Sequence, residues 1–126
     1  MRRVGAVAQP LVAVAGTTMI VLGLLFWSGN ALDLVPLHML LGLVLVVLLW
    51  SLAVTAAVAG APPAQVAIAI GWGLLVPTLG ITQDRILPGG AHWIVQVLHL
   101  LVGLAAIGQA MALAARIRQV PRRTAR

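Results

Sequence analysis

The chain has 126 residues, of which 62% are hydrophobic and only 8% charged, a balance that no soluble domain of this length could bury. It contains no Cys, which excludes disulfide frameworks, thiolate metal sites and cysteine nucleophiles. The formal charge of +6 comes entirely from Arg, crowded at the two chain ends, and reads as membrane topology and not as a nucleic-acid surface.

Four apolar runs follow one another along the chain. The first extends from about Pro10 to Ser28 and stops at the break Gly29-Asn30-Ala31-Leu32-Asp33. It starts with basic residues like a signal peptide, but it is too long for one and has no small-x-small cleavage site, so a retained helix is expected. The second run, 35–58, carries no charge and ends at Gly60-Ala61-Pro62-Pro63, because tandem Pro cannot continue a helix. The third covers 64–82, with Pro77 inside it, where a kink is expected. A polar loop with Gln83, Asp84, Arg85 and Pro88-Gly89-Gly90 separates it from the fourth, 91–115. Each run supplies the roughly 20 apolar residues that a bilayer span needs. In lipid each must be helical, since unpaired backbone groups are too costly there. The expected architecture is an all-α, four-transmembrane-helix up-down bundle, one membrane domain over 1–126 with a basic cytoplasmic tail at 116–126.

Arg2 and Arg3 precede the first run; Arg116, Arg118, Arg122, Arg123 and Arg126 follow the fourth. Four spans bring both ends to one side, and the positive-inside rule makes that side cytoplasmic. The expected location is the bacterial inner (plasma) membrane. Asp33 and Asp84 then face outward, and Trp27 and Trp93 fall at the outer interface, where an aromatic belt belongs. The Arg-rich ends serve topology and contact with anionic lipid.

The second and fourth runs repeat each other at an offset of 61: Leu37-His38-Met39-Leu40-Leu41-Gly42-Leu43 matches Leu98-His99-Leu100-Leu101-Val102-Gly103-Leu104. With only three His in the chain, the shared His-x-x-x-Gly is the informative part. Gly23-Leu24-Leu25 and Gly73-Leu74-Leu75 match more weakly at an offset of 50. The pattern predicts two tandem parallel two-helix hairpins, unlike the inverted repeats of many transporters. The second and fourth helices become diagonal partners across the bundle. His38 and His99 can then face each other near the outer ends.

An ionisable residue in a span is costly and is a functional candidate by default. Opposed imidazoles at one depth are the arrangement that holds haem iron from both faces. Gly42 and Gly103, one helical turn from each His on the same face, would let a flat macrocycle approach the backbone. Gly23 and Gly73 are expected at the porphyrin edges. On the fourth helix the face continues through Ala106 and Ala110, which either leave room for a cofactor or allow close helix contact. Gln96 is placed to orient His99 or contact a propionate. Arg85 either pairs a propionate or pairs Asp84. His92 is expected at the membrane surface. The same pattern also fits interfacial histidines bonded to water or headgroups, with glycines that serve helix packing.

With His38, His99, Gly42, Gly103 and four spans, the chain resembles small four-helix transmembrane b-type cytochromes of the cytochrome b561-like architecture. The resemblance implies haem b bound by His from the core helices, and single-electron transfer with a quinone or a soluble donor. Two-haem members need four ligands, and this chain offers only His38 and His99 within its spans. The resemblance therefore implies one bis-histidine haem on the outer side. It implies exchange with an outer-side redox partner, or service in a larger membrane complex or homo-oligomer, and not conduction through a bilayer about 30 Å thick.

Two other functions compete. One is a cofactor-free structural or assembly subunit, or its pigment-binding variant with one His per magnesium. The other is a small transporter, which the absence of any Glu and the loop positions of Asp33 and Asp84 disfavour. Catalysis on a substrate of its own finds no paired carboxylate, triad spacing or phosphate loop.

Overall fold

The computed structural model describes residues 2–119. Its helices are α1 (Arg2–Trp27), α2 (Val35–Val58), α3 (Pro63–Thr82) and α4 (His92–Gln119), with short 3-10 turns at Leu32–Leu34 and Gln83–Arg85. Among the described residues, all four helices are long and apolar enough to cross a membrane. At about 1.5 Å per residue, even α3, with 20 residues, matches a hydrocarbon core of about 30 Å. The chain thus has the construction of an integral membrane protein.

The turns explain the helix ends. After Trp27 the chain enters a left-handed conformation at Gly29 (φ 77°), and the Asn30 N–H donates to the Leu25 carbonyl at 2.8 Å. Gly60 (φ 82°) closes α2 in the same way, with the Ala61 N–H on the Ala56 carbonyl at 2.9 Å. A left-handed glycine closing over the last carbonyls is a common helix stop. Pro63 then opens α3, where its missing N–H is no loss.

The start of the first helix and the end of the fourth differ from expectation. The first helix begins at Arg2, eight residues before Pro10, and runs through that proline. Gly5 and Ala8 are buried there, so packing holds the first two turns in place. Pro77 likewise lies inside a continuous α3. Arg116 and Arg118 belong to the last turns of α4 and not to a separate tail. The remainder of the expected tail, 120–126, lies outside the described residues.

The helices form a ring. Each touches its chain neighbour, and α1 closes the ring on α4 with the most extensive packing in the molecule. Across the ring α2 meets α4, while α1 and α3 share no contact among the described residues. The main core lies in the half nearer the chain ends. There Leu49, Leu52, Ala53 and Ala56 of α2 meet Ala110, Leu113, Ala114 and Ile117 of α4, together with Ala8 and Val12. Small side chains on α2 and α4 let the backbones of this one diagonal approach. Ala106 and Ala110 therefore serve close helix contact. A smaller cluster, Leu79, Val95 and Val102, occupies the other half, and Trp72 packs against both. The hydroxyls of Thr18, Ser51, Thr55, Thr78 and Thr82 each donate to the carbonyl four residues earlier, which satisfies them without a partner from outside the helix.

Candidate functional site

His38 is in the first turn of α2 and His99 two turns into α4. Both therefore lie at the bundle end opposite the chain termini. The structure brings them together: their ring centroids are 6.4 Å apart and their planes are inclined by 47°. Neither Nδ1 has a hydrogen-bond partner, although both are buried. An unmet buried polar group costs about 1–3 kcal/mol, so each imidazole has an unused capacity to bind or ligate.

The surroundings of each ring follow one plan. A Cβ added at Gly23 of α1 would stand 3.8 Å from His38 Cε1, and one added at Gly80 of α3 would stand 3.3 Å from His99 Cε1. Each histidine thus lays its edge on a glycine of the preceding helix, where a larger residue would crowd it. Phe26 packs edge-on against His38 at 5.3 Å between centroids. One turn further in, the Met19 methyl lies 3.3 Å from where a Gly42 Cβ would be. Met19, Gly23 and Phe26 form one face of α1, spaced by four and three residues. That spacing puts Met19 and Phe26 on the face of Gly23, but which face of α1 meets the histidines is not specified by its sequence.

The other expected positions divide. Gly103 is half-buried, and an added Cβ there meets nothing within 4 Å. Gly73 is not at the histidines. It receives the indole of Trp50, whose Cε2 would lie 2.8 Å from an added Cβ. Gly80 occupies the place expected of Gly73. A match at an offset of 57 pairs Gly16 with Gly73 and Gly23 with Gly80, and a one-residue glycine signal with two Leu neighbours was too weak to select that register. Gln96 is half-buried one turn before His99, but leaves the His99 Nδ1 without a partner. Arg85 and Asp84 are exposed in the turn after α3, at the same bundle end. His92 Nδ1 lies 3.4 Å from the Ile86 carbonyl oxygen, which ties it to the α3–α4 loop. Trp27 and Trp93, at this end too, are both exposed.

Chemically, the site offers two imidazole donors. No group of three or more His, Cys, Asp or Glu able to hold a metal ion occurs among the described residues. Two protein ligands suffice for a metal that brings its remaining ligands with it, as iron does in a porphyrin. A metal midway between two imidazoles, with bonds of about 2.0 Å and about 1.1 Å from ring nitrogen to centroid, puts the centroids about 6.2 Å apart. The observed 6.4 Å fits that requirement. Two shallow open grooves lie elsewhere, on α1 (Ala13, Thr17, Val21) and α2 (Val47, Ser51, Val54). No protein-family model matches the chain, and no curated protein or solved structure shows significant similarity to it.

Proposed function

We propose that the chain is a membrane haem protein that holds one haem b between His38 and His99 and transfers single electrons at the bundle end where they lie. The carrying observation is the histidine pair at 6.4 Å, each ring with an unpartnered buried nitrogen. In this reading His38 and His99 supply the axial ligands, and the bound haem supplies a one-electron couple. Gly23 and Gly80 give the imidazole edges room, and Phe26 fixes the His38 ring. Gly103 clears the face one turn inward of His99, whereas the Met19 methyl lies over Gly42 and would have to move aside for the macrocycle. Gln96 and Arg85 are the polar side chains at that end suited to the propionates.

The packing also supports a repeat of two parallel hairpins. His38 on Gly23 within α1–α2 corresponds to His99 on Gly80 within α3–α4. Gly73 and Gly16, paired at an offset of 57, each receive a side chain from a neighbouring helix, Trp50 of α2 and Ile107 of α4. Arg2, Arg3, Arg116 and Arg118 at one end, against Arg85 beside Asp84 at the other, support cytoplasmic termini in a bacterial inner membrane. The exchange partner would then be a quinone or an outer-side redox protein, with the chain alone, as a homo-oligomer or within a larger membrane complex.

A reduced-minus-oxidised visible spectrum of protein purified after expression with ample haem tests the proposal. Low-spin bis-imidazole bands are expected in the wild type, with loss of the low-spin signature in His38→Ala and His99→Ala. Colourless wild-type protein would sink it. That outcome favours the second reading, a cofactor-free subunit, for which the open grooves on α1 and α2 are the supporting observation. A proton-coupled transporter finds less support, since Asp33 and Asp84 are the only carboxylate side chains and both are exposed in turns.

A further inference from the structure

At the bundle end away from the histidines, α1 and α4 meet backbone to backbone. A Cβ added at Gly5 would stand 2.5 Å from the Ala114 carbonyl oxygen and 3.2 Å from the Arg118 nitrogen. This close approach sets Arg2 beside Arg118, while Arg3 and Arg116 stand in the same terminal turns, two residues from Gly5 and Arg118 and so on the outward faces of the pair; all four are exposed. Two of the guanidinium groups are held in place. Arg2 Nε donates to the Arg118 carbonyl oxygen at 3.1 Å, and Arg118 Nη1 donates to Gln9 Oε1. Both acceptors are neutral, so neither charge is offset. The sequence has only two acidic residues, Asp33 and Asp84, and both lie in turns at the opposite end. Four guanidinium groups thus ring the terminal turns of the α1–α4 pair with no carboxylate side chain to balance them.

We propose that this α1–α4 corner binds the phosphate of an anionic lipid headgroup. Arginine suits the task, because its planar fork matches phosphate oxygens two at a time. A lipid, in preference to free phosphate, is favoured by what lies below the charges. Val4, Val7, Leu11 and Val14 recur at helical spacing along one face of α1, and all are exposed. Arg3 stands at the head of that stripe, four residues before Val7. The stripe runs into the open groove at Val14 and Val21, giving an acyl chain a continuous apolar track. The bound phosphate joins the first helix to the last and relieves the repulsion between them. The inference is independent of any haem.

The test uses the full chain in neutral detergent. Thermal unfolding is followed with added phosphatidylglycerol, phosphatidylcholine or inorganic phosphate, and retained lipid is measured by native mass spectrometry. Phosphatidylglycerol is expected to raise the melting temperature and to remain bound, with phosphatidylcholine and inorganic phosphate doing neither. Arg3→Gln/Arg116→Gln leaves the Arg2 and Arg118 hydrogen bonds intact and should lower phosphatidylglycerol retention roughly tenfold or more. Asp33→Asn, at the opposite end, should retain phosphatidylglycerol as the wild type does. Equal stabilisation by phosphatidylcholine, a shift with inorganic phosphate that matches the lipid's, or full retention by the double variant would each overturn the proposal. Should the double variant not fold, the wild-type comparison of the three additives decides.

Discussion

Gly103→Leu separates the fold from the proposed cofactor. In the protein alone an added Cβ at Gly103 meets no heavy atom within 4 Å, so a side chain there starts into open space. The apoprotein should keep its stability to within about 0.5 kcal/mol, as for substitutions that disturb no packed feature. Gly103 is also one turn inward of His99 on the same face, where the proposed macrocycle must pass. With haem present, the leucine would have to share that space. Overpacking of this kind costs about 1–3 kcal/mol, which lowers haem affinity roughly 5- to 150-fold. Gly103→Ala adds a single methyl group and should fall near the wild type. Haemin titration of apoprotein in detergent, read at the Soret band, gives the affinities, and apoprotein melting gives the control. Wild-type haem affinity in Gly103→Leu, with an unchanged melting curve, would refute the placement of the cofactor. A destabilised apoprotein would refute the open space itself.

Three further outcomes are expected. Gly5→Ala should destabilise the protein more than Gly16→Ala, because its new methyl meets the Ala114 backbone oxygen at 2.5 Å, whereas that at Gly16 meets only the Ile107 side chain, at 3.1 Å; unfolding in graded denaturant would rank the two. Gly73→Ala must expel the Trp50 indole, costing about 1–3 kcal/mol, with a change in near-ultraviolet circular dichroism that Gly71→Ala, with open space around it, does not share. Because the sequence has no Cys, single cysteines report topology cleanly: an impermeant maleimide applied from outside should label Ser28→Cys and Gly89→Cys in intact cells, but Gly60→Cys only after permeabilisation, and the reverse pattern would invert the orientation.

The number and order of the helices were legible because lipid imposes one rule on every span, and roughly 20 apolar residues in a row have few other uses. The ends were less legible. Hydropathy places the start of α1 where charges stop, yet the helix begins at Arg2, because Gly5 and Ala8 fit against α4 and that contact is invisible along the chain. The histidine pair could be read because histidine, present only three times, recurs on two helices with one glycine spacing. Their supporting residues could not. Gly80 and Gly73 look alike in sequence, and only the packing shows that one receives His99 and the other Trp50. Met19 and Phe26 act through a neighbouring helix, so their roles depend on the rotation of α1, which an apolar sequence all round the helix does not specify.

The depth of the histidine pair limits what one haem there could do. From His38 to the end of α2 at Val58 is 20 residues, and from His99 to the end of α4 at Gln119 is also 20. At about 1.5 Å per residue each stretch is about 30 Å, the full thickness of a hydrocarbon core. The far half of the bundle is filled by Leu, Ile, Val and Ala, with Trp72 the aromatic that packs against both core clusters. No second pair of imidazoles exists to divide that distance, since the third histidine, His92, lies at the same end as the other two. An electron reaching the proposed haem must therefore leave on the side it entered, or pass sideways to another subunit. The outer faces of α1 and α2, with their open grooves, are available for such a neighbour. A single-haem chain of this shape is thus suited to exchange at one membrane surface, and the tight Ala-rich packing of its other half anchors that site.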